Sequence, residues 1–252
     1  MRRPAALITG AAKGIGRQIA VTLAEKGYDV AVNYHTDRNA AAEVCREAES
    51  FGRRALAVYA DMSQIKEIKD MYSRVDQAFE GIDLVVNNAG ISSEVYFLEA
   101  EEADFDRMTA IDWKGLFFSS QEAAKRMIGR GIKGVIINIS SNQVDGCWPR
   151  ATIYGPTKAA VSKFTKNAAM ELARYGIRMA AVAPGYTDVG WAPDDIRWEA
   201  AARLPFGRFA STREIAEAVA YLASEQAAYV TGTTLTVDGG ATLPVVAAND
   251  FV

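Results

Sequence analysis

Apolar, β-rich runs of strand length alternate with longer segments of helical period almost throughout this chain of 252 residues. Few folds accept that alternation, because consecutive parallel strands must be joined by crossovers long enough to hold a helix. The expected strands are Ala5 to Thr9, Val30 to Tyr34, Ala55 to Tyr59, Ile82 to Val86, Val135 to Ile139, Ile177 to Val182 and Thr234 to Val237. The first helix carries apolar residues at Ile15, Ile19 and Leu23 and is stopped by Gly27; the next, rich in alanine and glutamate, ends near Phe51. Further helices are expected over about Ile65 to Phe79, Asp104 to Met127, Tyr154 to Tyr175 and Thr212 to Ala223. The pattern predicts an α/β fold, a single Rossmann-type doubly wound parallel sheet of about seven strands with helices on both faces, forming one domain over residues 1–252. No linker, repeat or low-complexity stretch marks a second domain. One region is irregular: Pro184 to Phe209, with prolines at 184, 193 and 205 and Trp191 and Trp198 between them, has the length of a substrate lid.

Composition removes several classes of chemistry. A net charge of −3 gives nucleic acid or an anionic membrane no basic surplus to bind. No apolar run approaches bilayer length, and the segment after Met1-Arg2-Arg3-Pro4 is broken by Gly10 too soon for a signal peptide, so a cytoplasmic protein is expected. Cys45 and Cys147 fit that compartment as reduced, inert thiols. His35 is the single histidine. A serine or cysteine hydrolase, or a zinc site, would have to be built on it without a recognisable spacing of partners, so neither is expected and no metal is assigned.

Thr9-Gly10-Ala11-Ala12-Lys13-Gly14-Ile15-Gly16 lies where the first strand meets the first helix. Glycine is needed there because the turn is tight and its backbone must approach a pyrophosphate, whose charge is met by the N–H groups and dipole of the helix start. Gly10, Ala12, Lys13, Gly14, Ile15 and Gly16 are therefore candidate cofactor contacts; the alternative is a tight loop without further meaning. The end of the second strand selects the dinucleotide, since a carboxylate there binds a ribose 2′-hydroxyl and repels a 2′-phosphate. Here Asn33-Tyr34 lead into His35-Thr36-Asp37-Arg38, with no acid at the strand's tip. Tyr34 and His35 join the candidates, and Lys13, His35 and Arg38 supply cations, so NADP(H) is the expected cofactor and NAD(H) the alternative.

Tyr154-Gly155-Pro156-Thr157-Lys158 sets a phenol and an ammonium four residues apart, on one helix face, at the start of the helix that follows the fifth strand. Parallel sheets present ligands at the carboxyl ends of their strands. Reducing a ketone requires a proton for the incipient alkoxide, and oxidising an alcohol requires a base. A free phenol, with a pKa of about 10, is a poor base at neutral pH; a neighbouring ammonium favours the phenolate. Tyr154 is thus the expected acid/base and Lys158 its tuner. Ser140-Ser141, directly after the fifth strand, offer a second hydroxyl for the substrate oxygen or simply a polar strand end.

The Thr9–Gly16 turn, Asn87-Asn88-Ala89-Gly90 after the fourth strand, Ser141 upstream of Tyr154, the Tyr154/Lys158 pair, Pro184-Gly185, Thr231-Gly232 and Asp238-Gly239-Gly240 together resemble the short-chain dehydrogenase/reductase family. The resemblance covers essentially the whole chain. It implies that Ser141 positions the substrate carbonyl, Tyr154 transfers the proton and Lys158 also binds the nicotinamide ribose. It further implies that Asp61 and Met62 line the adenine site, that Asn88, Ala89, Gly90, Pro184 and Gly185 support the cofactor, and that the molecule is a homotetramer packed through its fourth and fifth helices. Two positions depart from the family pattern. The helix-four asparagine of the family, part of a water-linked proton relay from the lysine, falls on Asp112, whose carboxylate adds charge beside Lys158. The threonine often found in the lid to bind the carboxamide is Val189, and Thr187 is the expected substitute.

Substrate choice is expected to lie in the loops Gly90 to Ala103, Asn142 to Ile153 and Pro184 to Phe209. Trp148-Pro149, Ile132-Lys133-Gly134 and the tail after Gly240 resemble bacterial glucose 1-dehydrogenases, implying a sugar or polyol. The general character equally resembles 3-oxoacyl-[acyl-carrier-protein] reductases, implying a 3-oxoacyl thioester whose carrier docks on a basic entrance patch of Arg126, Arg130 and Lys133. The alternative from another class is a nucleotide-binding regulator that keeps the fold without turnover, with Asp112 as its only support.

Overall fold

Short apolar runs with no polar face are strands covered on both sides, and they assemble here into one parallel sheet. The computed structural model describes residues 2–92, 95–192 and 194–243; Ser93 and Glu94 of the first substrate loop, Pro193 of the lid and the tail from 244 lie outside the described residues. The strands are β1 (Ala5–Ile8), β2 (Asp29–Tyr34), β3 (Ala55–Tyr59), β4 (Leu84–Asn87), β5 (Val135–Ile139), β6 (Arg178–Pro184) and, last in the chain, β9 (Thr234–Val237). They form a seven-stranded sheet in the order β3-β2-β1-β4-β5-β6-β9, every neighbouring pair parallel. The order reverses between β1 and β4, which leaves a crevice at their carboxyl ends where a doubly wound sheet binds its ligand.

Helices α1 (Gly14–Glu25), α2 (Arg38–Ser50) and α7 (Thr212–Ala223) pack Ile19, Leu23, Val44, Ile215 and Val219 against Ile8, Val32, Val86, Ile137 and Val182 on one face. The opposite face receives α3 (Ile65–Phe79), α5 (Leu116–Gly129) and α6 (Tyr154–Leu172), with Ile68, Met71, Tyr72 and Met127 packed on Leu7, Val85, Ile136 and Met179. The Cys45 thiol is buried in the first of these layers, and burial, helped by the charge of Glu49, pushes its pKa up to about 11. No helix among the described residues is long and apolar enough to cross a membrane.

The observed β3, α3, β5, α7 and β9 have the boundaries expected from sequence. The fourth strand begins at Leu84 rather than Ile82, because Asp83 uses its carboxylate to accept the Ala5 N–H (2.7 Å) before the ladder starts. The sixth starts at Arg178 and runs on to Pro184. The helix expected over Asp104 to Met127 starts as α4 (Glu102–Met108), passes through a π-helical segment, Thr109–Gly115, and ends with α5 at Gly129. The helix expected to reach Tyr175 is α-helical to Leu172 and closes with a 3₁₀ turn, Ala173–Tyr175, before Gly176 adopts a left-handed φ of 69°. Pro184 to Phe209 is less irregular than its prolines suggest: β7 (Thr187–Asp188) pairs in parallel with β8 (Ala210–Ser211), and a 3₁₀ helix spans Ile196–Arg203.

A polar seam crosses the apolar sheet just beneath its carboxyl edge. Asn87 on β4 donates to Asn138 Oδ1 on β5 (2.9 Å) and to Ser120 Oγ (2.9 Å), and accepts from Ser119 Oγ (2.7 Å). Asn138 in turn donates to Thr165 Oγ1 on α6 (2.9 Å), while the Tyr72 hydroxyl donates to the Ser119 carbonyl (2.8 Å). All these side chains are buried, so each group left without its partner would lose a hydrogen bond that water cannot replace. Asn138→Ala orphans an Asn87 donor, while the Thr165 hydroxyl keeps the Val161 carbonyl as its acceptor (2.9 Å). The variant is expected to cost about 1–3 kcal/mol for the one unsatisfied buried group, read as a lowered urea midpoint with unchanged m-value.

Candidate active site

The glycine turn is built from β1, β2 and β4 together. Gly10 has a left-handed φ of 62°, and a Cβ there would stand 2.9 Å from the Ala89 backbone. Buried Asn33 accepts the Gly10 N–H on its side-chain oxygen (3.0 Å) and the Ala11 N–H on its carbonyl (2.8 Å), so the turn is held by the second strand. From the other side Asn88 donates to the Thr9 and Gly10 carbonyls (2.9 and 3.1 Å), while Thr9 Oγ1 accepts the N–H groups of Asn88 and Ala89 (2.9 and 3.0 Å). Lys13 stands at the N-cap of α1 and makes no side-chain cap. The first-turn N–H groups at Gly14, Ile15 and Gly16 therefore have neither an intrahelical acceptor nor a cap, which suits a phosphate. Gly14 (φ 56°) faces Val189, with a Cβ position 3.6 Å from the valine side chain. This uncapped, glycine-cleared helix start fits a dinucleotide.

At the tip of β2, Tyr34 is half-buried and packs edge-on against Tyr59, whereas His35 is exposed with Nε2 3.8 Å from Asp61 Oδ2. The one acid just beyond the tip, Asp37, accepts the Ala40 N–H (2.9 Å) as the cap of α2. Asp61 accepts the Ser63 N–H (2.8 Å), and Met62 is buried with its carbonyl facing Gly115.

The catalytic candidates gather at the carboxyl end of β5. Tyr154, half-buried, opens α6, and its ring centroid lies 5.5 Å from Lys158 Nζ. Buried Lys158 donates to the Ile139 carbonyl (3.2 Å) and forms a 2.9 Å ion pair with Asp112 Oδ2. Burial alone would push the Lys158 pKa down; the Asp112 carboxylate and the Tyr154 oxygen outweigh it, so the ammonium is held above the ordinary lysine range. Asp112 is fully buried in the π-helical segment, and its Oδ1 accepts the Ile91 N–H (2.8 Å). The two serines after β5 divide their work. Ser140 donates its hydroxyl proton towards the Lys158 carbonyl (3.0 Å) and lies 2.8 Å from Ser162 Oγ, whereas Ser141 accepts the Gln143 N–H (3.2 Å) and keeps its own proton to give.

The lid roots at Pro184 and Gly185, which donates its N–H to the Val237 carbonyl (3.0 Å) and leaves no room for a Cβ beside Asp238 (2.6 Å). Buried Thr187 donates to the Gly185 carbonyl (3.0 Å), while Val189 is exposed. Further out, Tyr186 stacks on Phe209 (5.2 Å), Phe209 stacks on Trp198 (5.0 Å), and Trp191 meets both edge-on. Trp148, from the loop between β5 and α6, donates its indole N–H to the Tyr186 hydroxyl (3.0 Å).

The expected entrance patch does not form. Arg126 and Arg130 end α5 and precede β5, so with Lys133 they sit at the amino edge of the sheet, away from Tyr154. Both arginines are paired with Asp76, and Arg126 also with Glu122 (3.7 Å).

Residues 10–242 match the sequence model of the family described as enoyl-(acyl carrier protein) reductase. The chain belongs to the short-chain dehydrogenase/reductase family. It is similar to 3-oxoacyl-[acyl-carrier-protein] reductase FabG of Staphylococcus aureus, at 40% identity over 238 residues, 93% of this chain and 96% of that protein. Among solved structures it resembles acetoin dehydrogenase YohF from Salmonella typhimurium, with a TM-score of 0.91, 35% identity and coverage of 98% and 99% of the two chains. The angucycline C-6 ketoreductase LanV with bound NADP has a TM-score of 0.89 at 34% identity, covering 96% of each chain. The protein is thus an oxidoreductase of a family that uses nicotinamide dinucleotides.

Three residues of this short-chain dehydrogenase/reductase site escaped motif reading: Asn33, Asn138 and Ser162. The first two carried a signal, since each is an amide inside an otherwise apolar buried strand, Val-Ala-Val-Asn and Val-Ile-Ile-Asn. Gly16 offers the most direct test of the turn. A Cβ there would lie 2.4 Å from Asn88 Nδ2 and 2.5 Å from the Gly10 carbonyl. Gly16→Ala is expected to weaken dinucleotide binding at least about tenfold, about 1.4 kcal/mol, by calorimetry. Gly129→Ala, at a helix end with nothing within 4 Å, serves as the control that leaves it unchanged.

Proposed function

We propose that the protein interconverts a secondary alcohol and a ketone with NADP(H), using Tyr154 as acid/base. The observation that carries this is the phenol-bearing start of α6 beside a buried ammonium kept protonated by its neighbours. When bound, the dinucleotide supplies or accepts the hydride. Gly10, Ala12, Lys13, Gly14, Ile15 and Gly16 would hold its pyrophosphate, Tyr34, His35, Asp61 and Met62 its adenosine half, and Asn88, Ala89, Gly90, Pro184, Gly185, Thr187 and Lys158 the nicotinamide half. Ser141 donates a hydrogen bond to the substrate oxygen, and Tyr154 passes its proton to that oxygen in reduction or takes it in oxidation. Residues 184–209 close over the substrate. Preference for NADP(H) rests on Lys13, His35 and Arg38 near the β2 tip and on Asp37 being engaged as a helix cap.

The relative at 40% identity favours a 3-oxoacyl thioester as substrate. A sugar or polyol is the second reading, favoured because the cations a carrier would use are paired at the opposite edge of the sheet. The family's packing through α5 and α6 makes a homotetramer the expected assembly; the half-buried rings of Phe117 on α5, Phe164 on α6 and Trp113 on the π-helical segment before α5 lie 5.1–5.9 Å apart. A regulator without turnover would have Lys158 disabled by Asp112, yet the pair keeps the ammonium charged.

The experiment follows nicotinamide absorbance with NADPH and small 3-oxoacyl thioesters, and with NADP⁺ and sugars. One of these pairs is expected to turn over, with NADPH bound more tightly than NADH at matched ionic strength. Tyr154→Phe should lower kcat at least about a hundredfold while dinucleotide binding persists; full turnover in that variant removes the proposed acid/base.

A further inference from the structure

A buried carboxylate facing a buried ammonium is rarely neutral in its consequences, because desolvation makes each charge depend on the other. The protein goes to some length to put Asp112 there. The π-helical segment Thr109–Gly115 re-aims one turn of an otherwise α-helical stretch, a distortion often found at functional sites. Two glycines clear the space: a Cβ on Gly90 would stand 2.6 Å from Asp112 Oδ2, and one on Gly115 2.1 Å from the Met62 carbonyl. The Ile91 N–H then fixes Oδ1 (2.8 Å), leaving Oδ2 for Lys158. The ammonium has three protons. Asp112 and the Ile139 carbonyl orient the group before any ligand arrives, and leave one proton for a ribose or substrate oxygen.

We propose that Asp112 is a positioning residue which pre-sets the Lys158 ammonium and, by offsetting its charge, moves the working range of the Tyr154–Lys158 couple to higher pH. This rests on the reading of Tyr154 as acid/base. The charged groups acting on Lys158 are Asp112, from the π-helical segment, and Tyr154, from α6 itself; β5 contributes only the uncharged Ile139 carbonyl, and the single histidine lies at the tip of β2. A negative charge favours the proton-bound form of its neighbour, so the Asp112 carboxylate raises the pH at which the Lys158 ammonium is lost.

Asp112→Asn keeps the shape and the Ile91 contact and removes the charge. In alcohol oxidation the kcat–pH profile is expected to move to lower pH. A readout without turnover is the ultraviolet titration of tyrosinate in ligand-free protein, with the Tyr154 contribution isolated by subtracting Tyr154→Phe in each background; it should move the same way. Asp112→Ser, which retains a small acceptor, should reproduce the shift. If the tyrosinate difference titration stays in place or moves to higher pH in both variants, the proposal is overturned. It is equally overturned if neither variant gives a native circular dichroism spectrum, since Asp112 is then a folding requirement. Failure of the acid/base reading is distinguishable, because full turnover by Tyr154→Phe would reject that reading while the ligand-free titration still reports on Asp112.

Discussion

The hydrogen bond between the Asn87 and Asn138 side chains holds together the two halves of this site. Asn87 ends β4 and is followed by Asn88-Ala89-Gly90, which brace the glycine turn; Asn138 is one residue from the end of β5, which leads to Ser140, Ser141 and α6. A 2.9 Å side-chain bond thus adds to the β4–β5 ladder in joining the glycine-turn side of the candidate site to the Tyr154 side. Amides in an apolar sheet are tolerated only when they are hydrogen-bonded, and Ser119, Ser120 and Thr165 supply the other partners. The same requirement specifies register. A one-residue slip of β5 would turn Asn138 to the other face and leave Asn87 without its acceptor.

Above this seam the charges follow the same logic. Lys158 is tied to β5 through the Ile139 carbonyl, to the π-helical segment through Asp112, and by its backbone carbonyl to Ser140. Its position is therefore a property of three elements and not of α6 alone. Gly90 links the two halves again, since its missing side chain is what lets the Asp112 carboxylate sit against the loop that follows β4. A glycine expected from sequence to contact a cofactor thus makes room for the partner of Lys158.

Strong periodicity made much of the fold legible. β3 is an apolar strand between turn residues, β5 is apolar apart from Asn138, and α3 and α7 are helices with a clean apolar face, so their limits could be read directly. In the candidate site the sequence displays what is local: a glycine turn, a phenol and ammonium one helical turn apart, a serine after a strand. Partnerships that cross the sheet are not displayed. Nothing near Asn33 in sequence announces that it holds Gly10, and nothing near Asp112 announces a π-helical turn, because both depend on elements brought together only by the fold. The entrance patch failed for a related reason. Arg126 and Arg130 are clustered in sequence, but α5 runs antiparallel to the strands and delivers them to the far edge, where Asp76 neutralises them.

The segment expected to be a lid is held by long-range ties of the same kind. Its root is fixed where Gly185 meets Asp238, whose carboxylate is itself held by the Gly240 N–H and by the Thr242 N–H and hydroxyl. Its far end is fixed where Arg208 forks onto Glu214 and Ser211 caps α7. Between these anchors the connections to the body include ring contacts and the Trp148–Tyr186 hydrogen bond, which joins the lid to the loop between β5 and Tyr154. Aromatic pairs of this kind add about 0.5–1.5 kcal/mol each beyond the area they bury. The Trp148–Tyr186 bond therefore ties a segment anchored at both ends to the loop that leads into Tyr154.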